Sequence, residues 1–290
     1  PGTTIKDKVI SSSDIGLVSF PDGNTAFMRI MLQRMIPGAI RTQEQGPLAP
    51  VGGTIDPAKL DRAGNKIRIR SGSTAIDVRH PGDPAKADHA IVSYVRDGKV
   101  RRVRARAVVM ASGGWVNRNI VSDMPEGHRK AYGEFQYGPV MVANVALRNW
   151  RFFDKLGFTN TRWFDALGWQ TSIRRNVDMG GAQAFTPDSP TVLTFYFPFL
   201  HPDLPGPQQG PAARARLFAT SYADFERQLR EHLTAGFSSA GFDAKRDIAG
   251  IILNRWGPAY VAPQPGFYFG RDGAPPPSDV IRKPHGRIVF

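Results

Sequence analysis

One apolar run constrains the fold of this chain more than any other feature. The residues from Ala107 to Ala111 include no polar side chain, and the run ends abruptly at Ser112-Gly113-Gly114. A short apolar run bounded by glycines is typical of a strand buried on both faces, as in the parallel sheets of α/β proteins. We therefore predict a buried strand here, followed by a tight turn.

The sequence before this run predicts a meander of short strands. From Lys66 onward apolar and polar residues alternate with a period of two, and Asp97-Gly98 between two such segments is a strong hairpin signal. The predicted strands lie at residues 66–70, 75–78, 91–95 and 100–103. Strands and hairpin together occupy residues 66–112.

Helices and further strands are predicted on either side of the meander. A turn ends at Gly23, and Asn24 is placed to cap a helix over residues 25–36. Ser221 and Asp224 form a capping box that begins another helix. The remaining predicted elements are a helix at 125–132 and strands at 140–147, 192–197 and 248–254, with coil from Trp256. These elements predict an α/β fold joined to an α+β domain that contains a mixed sheet.

The turn after the apolar run is a candidate ligand site. In doubly wound sheets, ligands bind at the carboxyl ends of the strands, where small residues let the backbone approach a dinucleotide. Ala111, Ser112 and Gly113 fit this requirement. A strand that ends at glycine only for the sake of its turn has the same pattern, so the motif leaves both interpretations open.

Other catalytic motifs are absent from the sequence. It contains no GxGxxG after a strand, no P-loop, no HExxH and no cysteine, which excludes disulfides and thiolate ligands. The six histidines are scattered without ligand spacing, so we predict surface or capping roles for them and no metal site.

A formal net charge of +13 raises the question of a polyanionic partner. The densest cluster places Arg102, Arg104 and Arg106 in alternation with Val103 and Ala105, which predicts a strand with one solvated face. No aromatic residues are interleaved to stack bases. We therefore expect no nucleic-acid partner. We also expect a soluble protein of the cytoplasm or periplasm, because no apolar run approaches the roughly 18–20 residues of a membrane span.

The order of short motifs along the chain resembles one family of flavoproteins. The hairpin followed by Val108 to Gly113 resembles the second dinucleotide-contacting element of the two-dinucleotide-binding flavoproteins. More specific matches are to the spermidine dehydrogenase-like, FAD-dependent amine oxidoreductases. These matches are Phe20–Asn24, Asn144–Trp150, Arg214–Arg227, Gly241–Ile248, Asn254–Trp256 and Gly286–Ile288.

This resemblance implies a cofactor, a domain order and missing ends. It implies FAD, bound by Gly23, Asn24, Ala75, Ala111, Ser112 and Gly113. It also implies a partial FAD-binding (Rossmann-like) domain at residues 1–130, a substrate-binding domain at 131–265 and a return to the FAD-binding domain at 266–290. The family's GxGxxG unit and its closing C-terminal segment are not in this sequence, so we expect a fragment that is inactive by itself.

The resemblance further implies a small-molecule substrate. It is an amine of polyamine type, and its hydride passes to the flavin, while the electron acceptor is left open. Trp256 and Tyr260 are the candidates for the substrate pocket. The wider family often carries a lysine near the flavin, but residues 142–145 contain none, so no catalytic residue is assigned.

Two alternatives remain open from the sequence. A flavoprotein of fumarate reductase or ketosteroid dehydrogenase type also fits, because Ala111 to Trp115 resembles the flavin-side strand end of those enzymes. A non-catalytic basic binding module is the alternative from a different class, and it predicts salt-sensitive binding to a polyanion.

Overall fold

The fold was analysed on a computed structural model, which describes residues 3–5, 8–10, 23–164, 168–174 and 185–290. The described chain forms two compact units, one that includes residues up to Ser73 and a larger one that begins at Thr74. Phe20, Pro21 and Asp22 of the predicted turn lie outside the described residues. The domain boundaries at 130/131 and 265/266 remain predictions.

The described part of the first unit contains short strands and three helices. Its elements are β1 (Thr3–Ile5), β2 (Lys8–Ile10), α1 (Asn24–Met35), β3 (Ile40–Arg41), α2 (Ala49–Gly52), β4 (Thr54–Ile55) and α3 (Pro57–Leu60). The pairs β1–β2 and β3–β4 are antiparallel. A small core forms where Leu32 and Ile36 of α1 meet Ile40 and Leu60.

Two predictions for this unit are wrong in detail. Asn24 does not cap α1. It is the first helical residue, and Gly23 precedes it with φ 65° and no capping side chain. The strand predicted at 66–70 is irregular chain, because Arg68 and Arg70 turn to Asp61 instead of flanking a ladder.

The larger unit begins with the predicted meander. Its three strands are β5 (Thr74–Arg79), β6 (Ala90–Arg96) and β7 (Lys99–Ala105), and both pairs are antiparallel. The β6–β7 turn is the predicted Asp97-Gly98 hairpin, with φ of 54° and 70° at its two residues, as a type I′ turn requires. The hairpin and the strands predicted at 75–78, 91–95 and 100–103 are therefore confirmed.

The strand predicted to be buried on both faces is shorter and more exposed than expected. It is β8 (Val108–Val109), and after it come α4 (Gly114–Ile120) and α5 (Glu126–Gly133). Its parallel partner is β14 (Ile288–Val289), the only described strand that pairs with it. Val109 is consequently 72% exposed, whereas Met110 and Ile288 are buried.

An antiparallel sheet of five strands dominates the larger unit, in the order β10-β11-β12-β9-β13. The strands and the intervening helices α6 to α9 are β9 (Tyr137–Leu147), α6 (Arg151–Leu156), β10 (Asn160–Arg162), β11 (Gln170–Arg174), β12 (Thr191–Pro198), α7 (Gly206–Ala219), α8 (Tyr222–Phe237), α9 (Ala244–Asp247) and β13 (Ile248–Val261), and α10 (Pro277–Ile281) follows. The prediction of a mixed sheet is wrong, since every described pairing within this sheet is antiparallel.

Helices cover one face of this sheet. The Ser221 hydroxyl accepts a hydrogen bond from the Asp224 backbone N–H at 3.1 Å, as the capping box predicts, and begins α8. Leu229 and Leu233 of α8 then pack on the alternate residues of β9 whose side chains are buried. In the described chain, no helix packs core residues on the other face of the sheet, which is called the open face below.

β13 continues beyond the predicted end of its strand. Coil was predicted from Trp256, but the ladder with β9 resumes at Tyr260 after an irregular stretch that accommodates Pro258. β13 lies at the edge of the sheet, where a proline is tolerated because its missing N–H interrupts few ladder bonds. No helix among the described residues is long and apolar enough to cross a membrane.

Candidate functional site

The turn after β8 is held by one buried amide side chain. Asn117 of α4 donates from Nδ2 to the Met110 carbonyl oxygen at 3.3 Å and to the Tyr132 hydroxyl at 3.2 Å. Its Oδ1 accepts the Ser112 hydroxyl. Ala111, Ser112 and Gly113 are exposed in this fixed turn, so their main chain is accessible from outside.

The inner side of the same turn is filled by two tyrosines. A Cβ at Gly114 would lie 2.7 Å from ring atoms of Tyr132 and 2.8 Å from Tyr137 Oη. The Tyr137 hydroxyl accepts hydrogen bonds from the backbone of Gly114 and Trp115, and burial raises the pKa of both phenols. Glycine is thus required at 114 by close packing against protein. The Trp115 indole also lies against Gly113, where a Cβ would be 2.8 Å from the indole nitrogen, so the accessible main chain of the turn is mainly that of Ala111 and Ser112.

We expect Gly114→Ala to destabilise the protein by about 1–3 kcal/mol, because the added methyl overlaps a buried ring. Gly127→Ala in α5 is the matched control, since a Cβ at Gly127 meets nothing within 4 Å. Urea denaturation of both variants measures the difference. Equal stabilities would show that Tyr132 moves aside freely.

A cavity of about 680 Å³ adjoins the turn and has a positive lining. Arg118, Arg129 and Arg214 line it together with aromatic residues that include Trp115 and Tyr137, and no Asp or Glu is among the lining residues that the structure describes. Arg129 is positioned by a hydrogen bond of 2.9 Å to the Arg118 carbonyl oxygen. Guanidinium groups and flat apolar walls are complementary to planar or anionic ligands.

The two pocket candidates lie on the edge strand of the five-stranded sheet. Trp256 is opposite Val140 of β9 and Tyr260 is opposite Gly138. The two side chains are 58% and 67% exposed. Cross-strand partners point to the same face, and Val140 belongs to the face away from the helices, so both aromatics lie on this open face.

The remaining predicted cofactor residues lie on separate elements. Ala75 is an exposed residue of β5, opposite Tyr94 of the meander. Gly23 and Asn24 belong to the first unit and are exposed at the start of α1. Only Ala111, Ser112 and Gly113 form one continuous surface in the described chain.

Sequence reasoning missed a cluster of His80, Asp123 and His285. His80 is buried, and its Nδ1 lies 2.6 Å from Asp123 Oδ2. Its Nε2 accepts the Arg287 backbone N–H at 3.0 Å. Both ring nitrogens of His80 are therefore engaged in hydrogen bonds, and no lone pair is left for a metal. His80 and His285 are far apart in the sequence, so no local signal predicts their contact.

The cluster has the properties of a structural brace. His285 Nε2 and Asp123 Oδ1 are buried, unpartnered and 3.8 Å apart, which is too long for a hydrogen bond. Burial lowers the pKa of His285 more than the neighbouring Asp123 carboxylate raises it. The brace joins the segment before β14 to the end of β5, and so fixes the parallel pair that carries the turn.

Comparison with known proteins shows the fold. No family model and no curated protein matches the chain. Wild-type putrescine oxidase bound to putrescine matches over 75% of this chain and 42% of its own, at 15% identity and a TM-score of 0.50, and a triple mutant of that enzyme matches at 16% and 0.50. Cyclohexylamine oxidase from Brevibacterium oxydans matches at 14% identity and a TM-score of 0.47, over 74% of this chain and 41% of its own.

The chain spans about 42% of the length of the putrescine oxidase structures. An identity of 15–16% shows a shared fold alone. Over three quarters of its length, this chain therefore has the mixed α/β fold, with antiparallel sheets, that is seen in putrescine oxidase.

Proposed function

We propose that this chain is part of an FAD-dependent oxidoreductase that oxidises a small-molecule amine. The observation that carries the proposal is the exposed turn of Ala111, Ser112 and Gly113 at the carboxyl end of a parallel strand. The shared fold with an amine-oxidising enzyme and the positive cavity beside the turn support it.

The residues present fit one part of a dinucleotide site. Ala111 and Ser112 offer exposed main chain, while Arg118, Arg129 and Arg214 supply positive charge, and no carboxylate is among the described residues that line the cavity. Ala111, Ser112 and Gly113 would hold the cofactor by close backbone approach. The glycine-rich unit that seats a pyrophosphate is not in these 290 residues, so this chain would supply only part of the binding surface.

When bound, FAD would supply the oxidising chemistry by accepting a hydride equivalent from the carbon beside the amine nitrogen. The protein groups orient the amine and exclude water. Trp256 and Tyr260 would provide aromatic faces for this purpose on the open side of the sheet. No acid–base pair is required if the amine arrives neutral.

The proposal is tested on the full-length protein. We expect a yellow protein whose flavin absorbance bleaches when it is mixed anaerobically with a primary amine. Ala111→Phe should lose the flavin, because the ring would occupy the surface of the turn. Ala235→Phe, an equally large change on the exposed side of α8, should keep it.

Other outcomes of this test would either overturn the proposed cofactor site or favour a different class of flavoprotein. A colourless wild-type protein, or flavin retained in Ala111→Phe, would overturn the proposed cofactor site. A flavin that amines do not reduce, but whose reduced form is reoxidised by an enoate, would favour the fumarate reductase type instead.

A further inference from the structure

The open face of the five-stranded sheet carries an ordered polar network across three strands. Arg174 of β11 donates from Nε to the Thr194 hydroxyl at 3.1 Å and from Nη2 to the Tyr196 hydroxyl at 2.9 Å. The Thr194 hydroxyl in turn donates to Asn144 Oδ1 of β9 at 2.8 Å. Because a guanidinium group can only donate, the Thr194 hydroxyl accepts from Arg174 and uses its own proton for Asn144.

The network leaves hydrogen-bond donors facing outward. A guanidinium group has five N–H donors, and two of those of Arg174 are used within the protein. Because Asn144 Oδ1 is bound to Thr194, the Asn144 NH₂ group points away from it. The Tyr196 hydroxyl accepts from Arg174 and still has its own proton to donate. The face is therefore rich in donors.

No described carboxylate neutralises the positive charge of Arg174 on this face. In the part of the chain that the structure describes, no Asp or Glu pairs with Arg174, whose partners are two neutral hydroxyls. A cavity of about 540 Å³ at the same end of the sheet is lined by Arg174 and by Arg148 as well, and none of its described lining residues is a carboxylate. A polycation would be repelled here, and a carboxylate would be attracted.

The network lies within reach of the aromatic edge of the same face. Tyr196 is opposite Val142 of β9, and Trp256 is opposite Val140, two residues further along. Two residues along a strand and two strands across correspond to about 12 Å. A ligand held by Arg174 and Tyr196 would have to cross β9, over about this distance, to contact Trp256.

We propose that this open face binds the carboxylate of an amine substrate, with the Arg174 guanidinium as the anchoring group and Tyr196 and Asn144 as additional donors. The inference rests on the proposed function for the amine chemistry, and it replaces a polyamine by an amine that bears a carboxylate. The hydrogen bond from Nε to Thr194 holds the Arg174 guanidinium in place. Its remaining N–H groups have the planar fork geometry that matches a carboxylate.

Calorimetric titration of the full-length protein tests the proposal with three ligands of the same chain length. These are 4-aminobutyrate, butylamine and 1,4-diaminobutane. We expect 4-aminobutyrate to bind most tightly. Arg174→Gln should weaken it on the order of 30-fold, the loss expected for charged hydrogen bonds, and should change butylamine less than twofold. Tyr196→Phe should weaken 4-aminobutyrate by a smaller factor.

Arg227→Gln is the matched control. Arg227 lies on α8, in the layer that covers the opposite face, and it is already paired with Glu231 at 3.1 Å. This variant should bind all three ligands as the wild type does. Thermal melts of each variant exclude unfolding as the cause of a lost affinity, and Arg174→Lys, which keeps the charge but loses the fork, should recover only part of the affinity.

The inference is overturned if the wild type does not bind 4-aminobutyrate, if it binds 1,4-diaminobutane more tightly, or if Arg174→Gln leaves the affinity unchanged. Failure of the proposed function looks different. In that case no amine reduces the flavin, while the carboxylate preference and its dependence on Arg174 persist in calorimetry. Flavin reduction without any carboxylate preference refutes the anchor and leaves amine oxidation intact.

Discussion

Asp247→Ala is expected to lower the free energy of unfolding by about 2–4 kcal/mol, because it removes the centre of a buried hydrogen-bond network. Asp247 is only 1% exposed. Its carboxylate accepts from Arg246 Nε at 2.8 Å, from Asn149 Nδ2 at 3.1 Å and from the Asp243 backbone N–H at 2.8 Å. Truncation leaves the last two donors without partners, whereas Arg246 is largely exposed and can be solvated.

The same network predicts a dependence on pH. The hydrogen bonds from Arg246 hold the pKa of Asp247 below its usual value. A carboxyl group whose pKa is lower in the folded state stabilises the protein above its unfolded pKa of about 4, and this contribution is lost as the pH falls through the folded pKa. The difference between wild type and variant should therefore shrink in acid.

Asp188→Ala is the control for this prediction. Asp188 also pairs with an arginine, Arg151, but both side chains are exposed. Exposed pairs contribute about 0–1 kcal/mol, so this variant should unfold almost like the wild type in urea at neutral pH. A similar loss in both variants would show that burial of Asp247 is not the cause.

Local patterns made part of the fold predictable. The capping box of Ser221 and Asp224 and the hairpin at Asp97-Gly98 are short-range signals, and both are confirmed because their geometry depends on neighbours in sequence. The alternation around Ile67 also looked like a strand. This prediction was wrong because a strand needs a partner strand. In the structure these residues form no strand, and Arg68 and Arg70 pair with Asp61.

Of the candidate site, only the turn after β8 could be predicted from the sequence. Ala111 to Gly113 was found from an apolar run that ends in small residues, and the structure leaves these residues exposed. The network of Arg174, Tyr196 and Asn144 was not found, because its members come from three strands whose register no local pattern reveals. The contact between His80 and His285 was also missed, because the two residues are distant in the sequence.

Phe237→Ala is expected to cost about 3–5 kcal/mol, the range for an aromatic side chain truncated in a packed core. Phe237 is the last residue of α8 and is buried. Its ring lies 5.0 Å from that of Phe152 and 4.9 Å from that of Phe153, and Trp163 and Phe242 complete the cluster. Phe152 and Phe153 belong to α6 and Phe237 to α8, so the cluster cannot close over the vacancy unless one of these helices moves.

The cavity left by Phe237→Ala should be apolar and about the size of the lost ring, and this gives a second test. A dry apolar cavity binds small aromatic molecules, and a ligand that binds only the folded state raises the melting temperature. Benzene should therefore stabilise Phe237→Ala but not the wild type. Phe269→Ala, at a ring that is 94% exposed, should neither lose stability nor respond to benzene. If Phe237→Ala is destabilised but benzene does not raise its melting temperature, α8 has collapsed into the cavity. This end of the core would then be less rigid than its packing indicates.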